Sequence, residues 1–251
     1  MAFGTFGKDA RGGKPMVGTF LKTPEVMIVE TLARSGIDFI CIDGEHGPID
    51  RARLDACLAV ARALEFPVLV RVAAARAEYV LQALDAGAAG LVIPHVDSAE
   101  KAEEMGRVSR YGLYGRGFAG AVRGTDWGEG GMAAVLDRGA DPMILVQIEE
   151  PAGVEAASAI AGAPGIDGVF VGPADLSVGY GHRAMGSDDV ARAYRIVGKA
   201  TKEAGRIHAT FARSAEAGRS LKAHGVTMLF VASELSFMAS AAGAEAEAFR
   251  A

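Results

Sequence analysis

Short, continuous apolar runs alternate with longer amphipathic segments along the chain. The apolar runs are rich in valine and isoleucine and mostly lack the every-second-residue alternation of a half-exposed strand. That pattern is typical of strands in a parallel sheet covered on both faces. It predicts strands at residues 16–19, 38–42, 67–71, 90–94, 143–148, 167–171, 206–210 and 227–231.

The amphipathic segments between these runs predict helices. The first reads TPEVMIVETLARSG, in which Thr23 and Pro24 have the pattern of an N-cap and a first helical residue, and Gly36 that of a C-cap. The others lie at 49–64, 76–87, 98–110, 153–161, 188–204, 214–225 and 234–250. This α/β alternation favours a closed TIM (β/α)8 barrel over an open Rossmann sheet, since no predicted strand is followed by GxGxxG. We expect one barrel domain over residues 1–251.

Residues 111–141 interrupt the alternation with a long, glycine-rich connection before the fifth predicted strand. Connections of this length inside compact domains are often lids or binding loops. A surface excursion or a contact between subunits explains the segment equally well, so both interpretations stay open.

Composition excludes several classes of function. The formal net charge is -5 and no basic face or tail is present, which argues against nucleic acid as a partner. The apolar runs are too short to span a membrane, and the N-terminus lacks the pattern of a secretion signal. Cys41 and Cys57 form no CxxC pair, so we expect a cytoplasmic protein without disulfides.

Polar residues collect where the predicted strands end, which in a barrel is the catalytic face. Asp43, Glu45 and His46 lie in a turn that also contains Gly44 and Gly47. The positions are Asp43, Glu45, His46, Arg71, His95, Asp97, Gln147, Glu149, Glu150 and Asp175.

Among these residues, Glu149 and Asp175 follow adjacent strands and suit a hard divalent cation such as Mg²⁺. Asp175 could instead cap the helix that follows it. Arg71 could stabilise a developing oxyanion, or only order the rim through Asp43 or Glu45.

His46 suits a general base, with His95 as its competitor, and the amides of GPADLS could bind a small anion. A divalent cation, an arginine and a histidine around one pocket suit the stabilisation of a 2-oxo acid enolate.

Six stretches between residue 17 and about residue 179 resemble the HpcH/HpaI aldolases, which are metal-dependent class II pyruvate aldolases. These stretches are VGTFLKTP, DFICIDGEHGPID, VLVRV, LDAGAAGLVIPHVDS, ILVQIEEPAGVE and GIDGVFVGPADLS. The resemblance implies a TIM barrel that reversibly cleaves 4-hydroxy-2-oxo acids to pyruvate, or hydroxypyruvate, and an aldehyde. It also implies a divalent cofactor (Mg²⁺ or Mn²⁺, with Co²⁺ or Zn²⁺ as alternatives), a homotrimer or homohexamer, and a role in aromatic-compound catabolism.

Residue roles follow from the same resemblance. His46 is then the base, Arg71 the transition-state stabiliser, and Asp85 the acid that raises the basicity of His46. Glu149 and Asp175 would hold the metal. The residues expected at the 2-oxo acid are Arg71, Gln147, Gly172, Pro173, Ala174 and Asp175.

Asp85 ends a predicted helix just before the fourth strand, which places it at the end of the barrel away from its own active site. It can support His46 only from another subunit. We therefore expect an oligomer whose active site is completed across an interface, with the C-terminal helix 234–250 involved in the contacts.

Three departures from the family pattern concern the specificity for the aldehyde more than the residues that stabilise the enolate. YGLYGRG at 111–117 lacks two expected prolines, VASEL at 231–235 replaces an expected Gly-Val-Asp, and His208 has no role beyond packing.

Three alternatives stay open. A Schiff-base aldolase needs a lysine in the pocket, and only Lys22 could lean in. A CoA-ester lyase similar to citrate lyase β needs a basic site for the adenosine phosphates, and no such cluster is seen. The third is a non-catalytic protein that binds 2-oxo acids, against which the retained base, arginine and carboxylates argue.

Overall fold

The computed structural model describes residues 3–139 and 142–251. Parallel strands close into a barrel, and each strand pairs with its neighbours in chain order. The strands are β1 (Met16–Leu21), β2 (Phe39–Asp43), β3 (Val68–Arg71), β4 (Gly90–Ile93), β5 (Met143–Ile148), β6 (Gly168–Val171), β7 (Ile207–Ala212) and β8 (Met228–Ser233). The predicted TIM (β/α)8 barrel and all its predicted strands are therefore confirmed.

Helices follow the strands and surround the barrel. They are α1 (Phe6–Arg11), α2 (Val26–Leu32), α3 (Arg51–Ala63), α4 (Ala77–Asp85), α5 (Ala99–Val108), α6 (Gly131–Arg138), α7 (Pro151–Glu155), α8 (Ala157–Gly162), α9 (Pro173–Gly179), α10 (Asp188–Glu203), α11 (Ala215–Arg219) and α12 (Glu234–Arg250). Short 3₁₀ helices lie at Phe3–Thr5, Arg123–Gly128 and Ser220–His224. No helix within the described ranges combines the length and apolar character that crossing a membrane requires.

The start of α2 differs from the prediction. Its N-cap is Glu25 and its C-cap is Ala33, so the expectation that Thr23 and Pro24 open the helix and Gly36 caps it was wrong. The reason lies in the buried Glu234 carboxylate, which accepts the backbone N–H of Thr23 at 2.6 Å and that of Lys22 at 3.0 Å. These bonds hold the chain at the barrel rim before a helix can begin.

Phenylalanine rings fill the inside of the barrel. Phe230 lies at its centre, with ring centroids 4.8 Å from Phe39, 4.9 Å from Phe170 and 5.3 Å from Phe20. Phe6 of α1 packs against Phe39 at 5.8 Å and closes the N-terminal end of the barrel. The interior is therefore a packed core, and in such a barrel the catalytic site lies at the opposite, C-terminal end.

The alternation of side chains along each strand carries polar groups into that C-terminal mouth. Cys41 of β2 and Leu69 of β3 belong to the inner core, whereas their neighbours in sequence face the helices. Two residues further on, Asp43 and Arg71 continue the inward series, and both are buried. Gln147 does the same at the end of β5. Backbone geometry thus brings a carboxylate, a guanidinium and an amide together.

The described part of the glycine-rich segment, residues 111–139, lies at the N-terminal end of the barrel. It contains the 3₁₀ helix Arg123–Gly128 and α6, and it joins the end of α5 to the start of β5. Arg123 pairs with Asp55 of α3 at 2.6 Å, and Gly124 lies against the carbonyl of Leu84. This segment is therefore not a lid over its own catalytic face. Residues 140 and 141 of the predicted segment lie outside the described residues.

Helix α12 leaves the barrel after β8. Only Glu234 is buried among its 17 residues. Large apolar side chains along the helix are exposed: Leu235, Phe237, Met238 and Phe249. Large apolar side chains of a helix normally pack against a core, and those of α12 have no such cover among residues 3–139 and 142–251.

Candidate active site

The Asp43 carboxylate organises the turn after β2. Its Oδ1 accepts the backbone N–H groups of Glu45 at 3.2 Å and His46 at 3.1 Å. The Arg71 guanidinium binds the same carboxylate through two nitrogens, at 2.9 and 2.7 Å. Lys22 approaches the other oxygen at 3.0 Å. Asp43 therefore fixes both the turn and the arginine.

Two glycines make this turn possible. A Cβ on Gly44 would lie 2.7 Å from the Arg71 carbonyl oxygen, and one on Gly47 would collide with the Asp43 carbonyl oxygen. Contacts this close leave no room for a side chain. The expectation that these glycines hold the acids and His46 in a tight turn agrees with this geometry.

Electrostatics keep the Asp43–Arg71 pair charged. Burial alone would raise the pKa of Asp43, but Arg71, the His46 amide and Lys22 more than offset it and lower the pKa to about 2. Burial lowers the pKa of Arg71, whereas Asp43 and Glu45 raise it, with a net increase. Arg71 also lies 4.7 Å above the Phe20 ring, a cation–π contact. It is thus a fixed positive charge at the mouth.

His95 lies among three carboxylates. It follows β4 with a left-handed backbone, φ 56°, and its N–H donates to Glu149 Oε1 at 2.7 Å. Its Nε2 is 3.1 Å from Glu45 Oε1, and its Nδ1 is 2.6 Å from Glu150 Oε1. Glu45, His95 and Glu149 offer ligand atoms within 4.8 Å of one another, a spacing that could hold a metal ion.

Burial and neighbouring groups act in opposite directions on the pKa values of Glu149 and His95. Burial raises the pKa of Glu149 to about 7, although hydrogen bonds from the His95 N–H and the Gln147 amide oppose it. Burial lowers the pKa of His95, but Glu150, Glu149 and Glu45 together raise it above its usual value. The raised pKa of Glu149 thus reflects mainly its burial, and that of His95 the three carboxylates around it, so a cation at the mouth would favour the charged form of Glu149.

The segment after β6 reaches the same mouth. A Cβ on Gly172 would lie 2.9 Å from the Glu149 Cβ and 3.2 Å from Gln147 Nε2, so only glycine allows this approach. Two predicted 2-oxo acid contacts, Gln147 and Gly172, therefore lie side by side. Pro173 and Ala174 then open α9.

Asp175 and Glu149 were predicted to share a metal. Asp175 lies exposed in the first turn of α9, and the N-cap of this helix is Gly172, so the alternative that Asp175 caps the helix was wrong. Among residues 3–139 and 142–251, the Asp175 carboxylate makes no hydrogen bond or ion pair. Glu45 and His95 also offer possible ligand atoms within 4.8 Å of one another and of Glu149.

His46, the predicted base, has an exposed side chain at the rim. Its Nε2 is 3.8 Å from Glu45 Oε2, beyond hydrogen-bond distance. The imidazole is therefore exposed at the rim and accessible to a substrate.

Asp85 lies at the other end of the barrel, as predicted. It is the last residue of α4, and β4 begins at Gly90. Its Oδ1 is buried with no hydrogen-bond partner in the described part of the chain, and burial raises its pKa against an opposing effect of Arg116. Asp85 lines an external cleft of about 550 Å³ together with Val122 and Trp127. The structure thus does not bring His46 and Asp85 of one chain together.

Some residues of the mouth have roles that the sequence did not reveal. Glu234, the acid of VASEL, holds the loop after β1. His95 and Glu45 join Glu149 in a cluster. Their position after strands β4 and β2 was the available signal, but the left-handed backbone of His95 is not readable from residue types.

With this geometry established, comparison with known proteins identifies the family. The model of the HpcH/HpaI aldolase/citrate lyase family matches residues 16–241. The chain belongs to this family.

Relatives and solved structures agree with membership of the HpcH/HpaI family. A hydroxypyruvate/pyruvate aldolase of Roseovarius nubinhibens is 33% identical over 240 residues, covering 91% of this chain and 92% of that protein. A protein of the same name from Delftia acidovorans is 36% identical over 249 residues, covering 96% and 90%. The crystal structure of an HpcH/HpaI aldolase/citrate lyase family protein from Burkholderia cenocepacia J2315 has a TM-score of 0.92 and 32% identity, covering 99% of this chain and 100% of that one. The resemblance is confirmed, and the chain is an aldolase-type lyase.

Proposed function

We propose that this HpcH/HpaI family member reversibly cleaves 4-hydroxy-2-oxo acids to pyruvate, or hydroxypyruvate, and an aldehyde, with the help of a divalent cation. The observation that supports this most strongly is the single mouth shared by the Asp43–Arg71 pair, Gln147 and Glu149. It offers a fixed positive charge and a carboxylate site in a chain similar to hydroxypyruvate/pyruvate aldolases.

The residues at the mouth fit a divalent cation. Glu45 Oε2 and Gln147 Oε1 are buried and have no hydrogen-bond partner in the described ranges. Glu149 would hold the cation with Asp175, whose carboxylate is exposed at the start of α9. Such oxygen donors suit Mg²⁺ or Mn²⁺, with Co²⁺ or Zn²⁺ as alternatives. When bound, the cation would supply positive charge to the carboxylate and ketone oxygens of the 2-oxo acid.

Arg71 would stabilise the negative charge that develops during cleavage. Its Nε and Nη2 hold Asp43, and its Nη1 is 3.2 Å from Glu45 Oε2. Because a guanidinium has five N–H donors, donors remain for the enolate oxygen. Preorganised donors of this kind stabilise a transition state without reorganisation cost. Gln147, Gly172, Pro173 and Ala174 would line the place of the 2-oxo acid.

His46 would move the proton. In cleavage its imidazole takes the proton of the C4 hydroxyl while the C3–C4 bond breaks and the aldehyde leaves. The bond electrons stay on the three-carbon fragment as an enolate facing Arg71. Protonation at C3 then releases the 2-oxo acid, and the same steps run backwards in synthesis.

We further propose that the active site is completed by a neighbouring subunit in a homotrimer or homohexamer. Asp85, with its unpartnered buried oxygen, lies at the opposite end of the barrel from His46. Helix α12 presents apolar residues that the described part of the chain leaves exposed. Contact between subunits would cover α12 and carry Asp85 to the mouth of the next barrel.

A cleavage assay tests the proposal. Metal-loaded protein should release pyruvate from 4-hydroxy-2-oxo acids, EDTA should abolish release, and Mg²⁺ or Mn²⁺ should restore it. Borohydride should not trap pyruvate on Lys22, whose Nζ is 3.0 Å from Asp43. Trapping, or cleavage of CoA thioesters in place of hydroxy-oxo acids, would overturn the proposal in favour of a Schiff-base aldolase or a CoA-ester lyase.

A further inference from the structure

The Lys22 side chain reaches into the mouth of the barrel from the end of β1. Its Nζ lies 3.0 Å from Asp43 Oδ2, the same oxygen that accepts Arg71 Nη2 at 2.7 Å. The Asp43 side chain is fully buried, whereas that of Lys22 is 34% exposed. One buried carboxylate therefore holds two cations, although the two-nitrogen contact with Arg71 alone already neutralises it.

Arg71 shares its charge with a second carboxylate. Its Nη1 lies 3.2 Å from Glu45 Oε2, and the two side chains are only 8% and 9% exposed. One guanidinium between the two carboxylates Asp43 and Glu45 leaves a formal charge of minus one, which would oppose an enolate forming beside it. The ammonium of Lys22 brings these four groups to a formal net charge of zero. Lys22 thus removes a repulsion that Arg71 alone does not offset.

The backbone of Lys22 is fastened to the rim of the barrel. Its N–H donates to both oxygens of Glu234 at 3.0 Å, and the Thr23 N–H donates to the same carboxylate at 2.6 Å. A Cβ on Gly47 would lie 3.4 Å from the Lys22 carbonyl oxygen, so this loop also packs against the turn after β2. Because a lysine side chain is flexible, a fixed backbone helps to keep its ammonium within reach of Asp43.

We propose that Lys22 is a positioning residue for enolate formation: its ammonium offsets the charge of Asp43, so that the Arg71 guanidinium keeps a positive potential toward the enolate oxygen. Lys22 acts through Asp43 and needs no contact with the substrate. This inference deepens the proposed function and rests on it, since it requires a 2-oxo acid to enolise beside Arg71. Asp43 then orients Arg71, and Lys22 preserves the effect of its charge.

A comparison of two ligands on the metal-loaded full chain tests the role of Lys22. Pyruvate, with one negative charge, resembles the 2-oxo acid before enolisation, whereas oxalate, a planar dianion, resembles the enolate. A group that matters for enolate formation should stabilise bound oxalate more than bound pyruvate. In Lys22→Met we therefore expect the calorimetric Kd for oxalate to rise about 10-fold and that for pyruvate to change less than about 3-fold.

Two further variants serve as controls. Lys22→Arg keeps a cation beside Asp43 and should restore most of the preference for oxalate. Lys101→Met removes a lysine of similar exposure, 33%, whose Nζ lies 3.9 Å from Asp97, and it should leave both Kd values unchanged. The Lys101 variant separates the local effect at Asp43 from the general loss of one positive charge.

Hydrogen exchange adds a rate to these affinities. Lys22→Met should slow the exchange of the C3 hydrogens of saturating pyruvate in deuterated water about 10-fold. Equal weakening of oxalate and pyruvate binding in Lys22→Met, or no change in either, would overturn the inference. A loss of oxalate binding in Lys101→Met as large as in Lys22→Met would also overturn it, because the contact with Asp43 would then not matter.

The inference and the proposed function fail differently. A wild-type protein that cleaves 4-hydroxy-2-oxo acids, with no selective loss of oxalate binding in Lys22→Met, refutes the role of Lys22 and leaves the aldolase proposal standing. Selective loss of oxalate binding in a protein that neither cleaves nor enolises a 2-oxo acid contradicts the aldolase proposal and leaves Lys22 as a charge that favours dianions at this mouth. A metal-loaded wild-type protein that binds neither ligand overturns both.

Discussion

Arg71 meets two demands at once. It neutralises the buried Asp43 and also faces the mouth where a 2-oxo acid would bind. The two interpretations left open by the sequence, rim ordering and oxyanion stabilisation, are therefore compatible at one side chain. Removing a partner from a buried ion pair costs roughly 3–5 kcal/mol of stability, so an Arg71 variant must be examined for folding as well as rate.

Arg71→Ala should lower kcat at least ~10²-fold, because the enolate loses a preorganised donor. Steady-state kinetics on metal-loaded protein measure this, and Arg71→Lys, which keeps the charge beside Asp43, separates rate from stability. A rise in KM with unchanged kcat would make Arg71 a substrate anchor and contradict the proposed role.

At the residue scale, the sequence predicted much of the mouth. It placed Asp43, Arg71 and Gln147 where strands end on one face, and the structure buries all three at the ends of β2, β3 and β5. His95 shows the limit, because its position depends on a left-handed backbone fixed by hydrogen bonds to β5. Such bonds join residues far apart in the chain and leave no local pattern.

At the element scale, the strands were predictable because each is a continuous apolar run buried on both faces. The ends of the helices were harder to predict. α2 begins after the Thr-Pro pair because the Glu234 carboxylate, from the far end of the chain, accepts the backbone N–H groups of Lys22 and Thr23. A tertiary contact here overrides a local capping signal.

The packing of β7 on α10 explains His208. The ring is buried on the outward face of β7, with Nδ1 donating to the His224 carbonyl at 3.0 Å and Tyr194 of α10 beside it. Burial lowers the pKa of His208 from 6.5 to about 4, and the bond to His224 only partly opposes this. The neutral ring is thus part of the outer core.

The low pKa of His208 predicts that the free energy of unfolding depends on pH. Between pH 6.5 and about 4 the unfolded chain takes up a proton at His208 that the folded protein refuses, so stability falls as pH falls through this window. The full effect is about 3 kcal/mol, at about 1.4 kcal/mol per pH unit. Urea unfolding of wild type and His208→Gln at pH 8 and pH 4.5 measures it. The difference in free energy of unfolding between wild type and His208→Gln should be smaller at pH 4.5 than at pH 8. An equal difference at both pH values would contradict the low pKa of His208.

At the scale of the whole molecule, the two residues proposed to act together, His46 and Asp85, lie at opposite ends of the barrel. His46 follows β2 at one end and Asp85 ends α4 at the other. The segment 111–139 lies beside Asp85 and lines the same external cleft through Val122 and Trp127. Of its two interpretations, contact with another subunit fits this location, since its own catalytic face is out of reach.

Mixing two inactive variants tests completion across subunits. In a mixture of His46→Ala and Asp85→Asn chains, mixed oligomers contain sites with His46 from one chain and Asp85 from the other. Activity should therefore return once exchange of tagged subunits is verified. No recovery despite verified exchange, with each single variant inactive, would contradict the shared site.

The most direct test of the proposed aldolase mechanism is metal-dependent enolisation, because it needs no knowledge of the aldehyde. In deuterated water, metal-loaded protein should exchange the C3 hydrogens of pyruvate, as followed by proton NMR. Exchange should stop with EDTA, resume with Mg²⁺ or Mn²⁺, and fall sharply in Arg71→Ala. A wild-type protein that binds pyruvate and metal but exchanges no hydrogen would contradict an aldolase mechanism and indicate a 2-oxo acid binding protein.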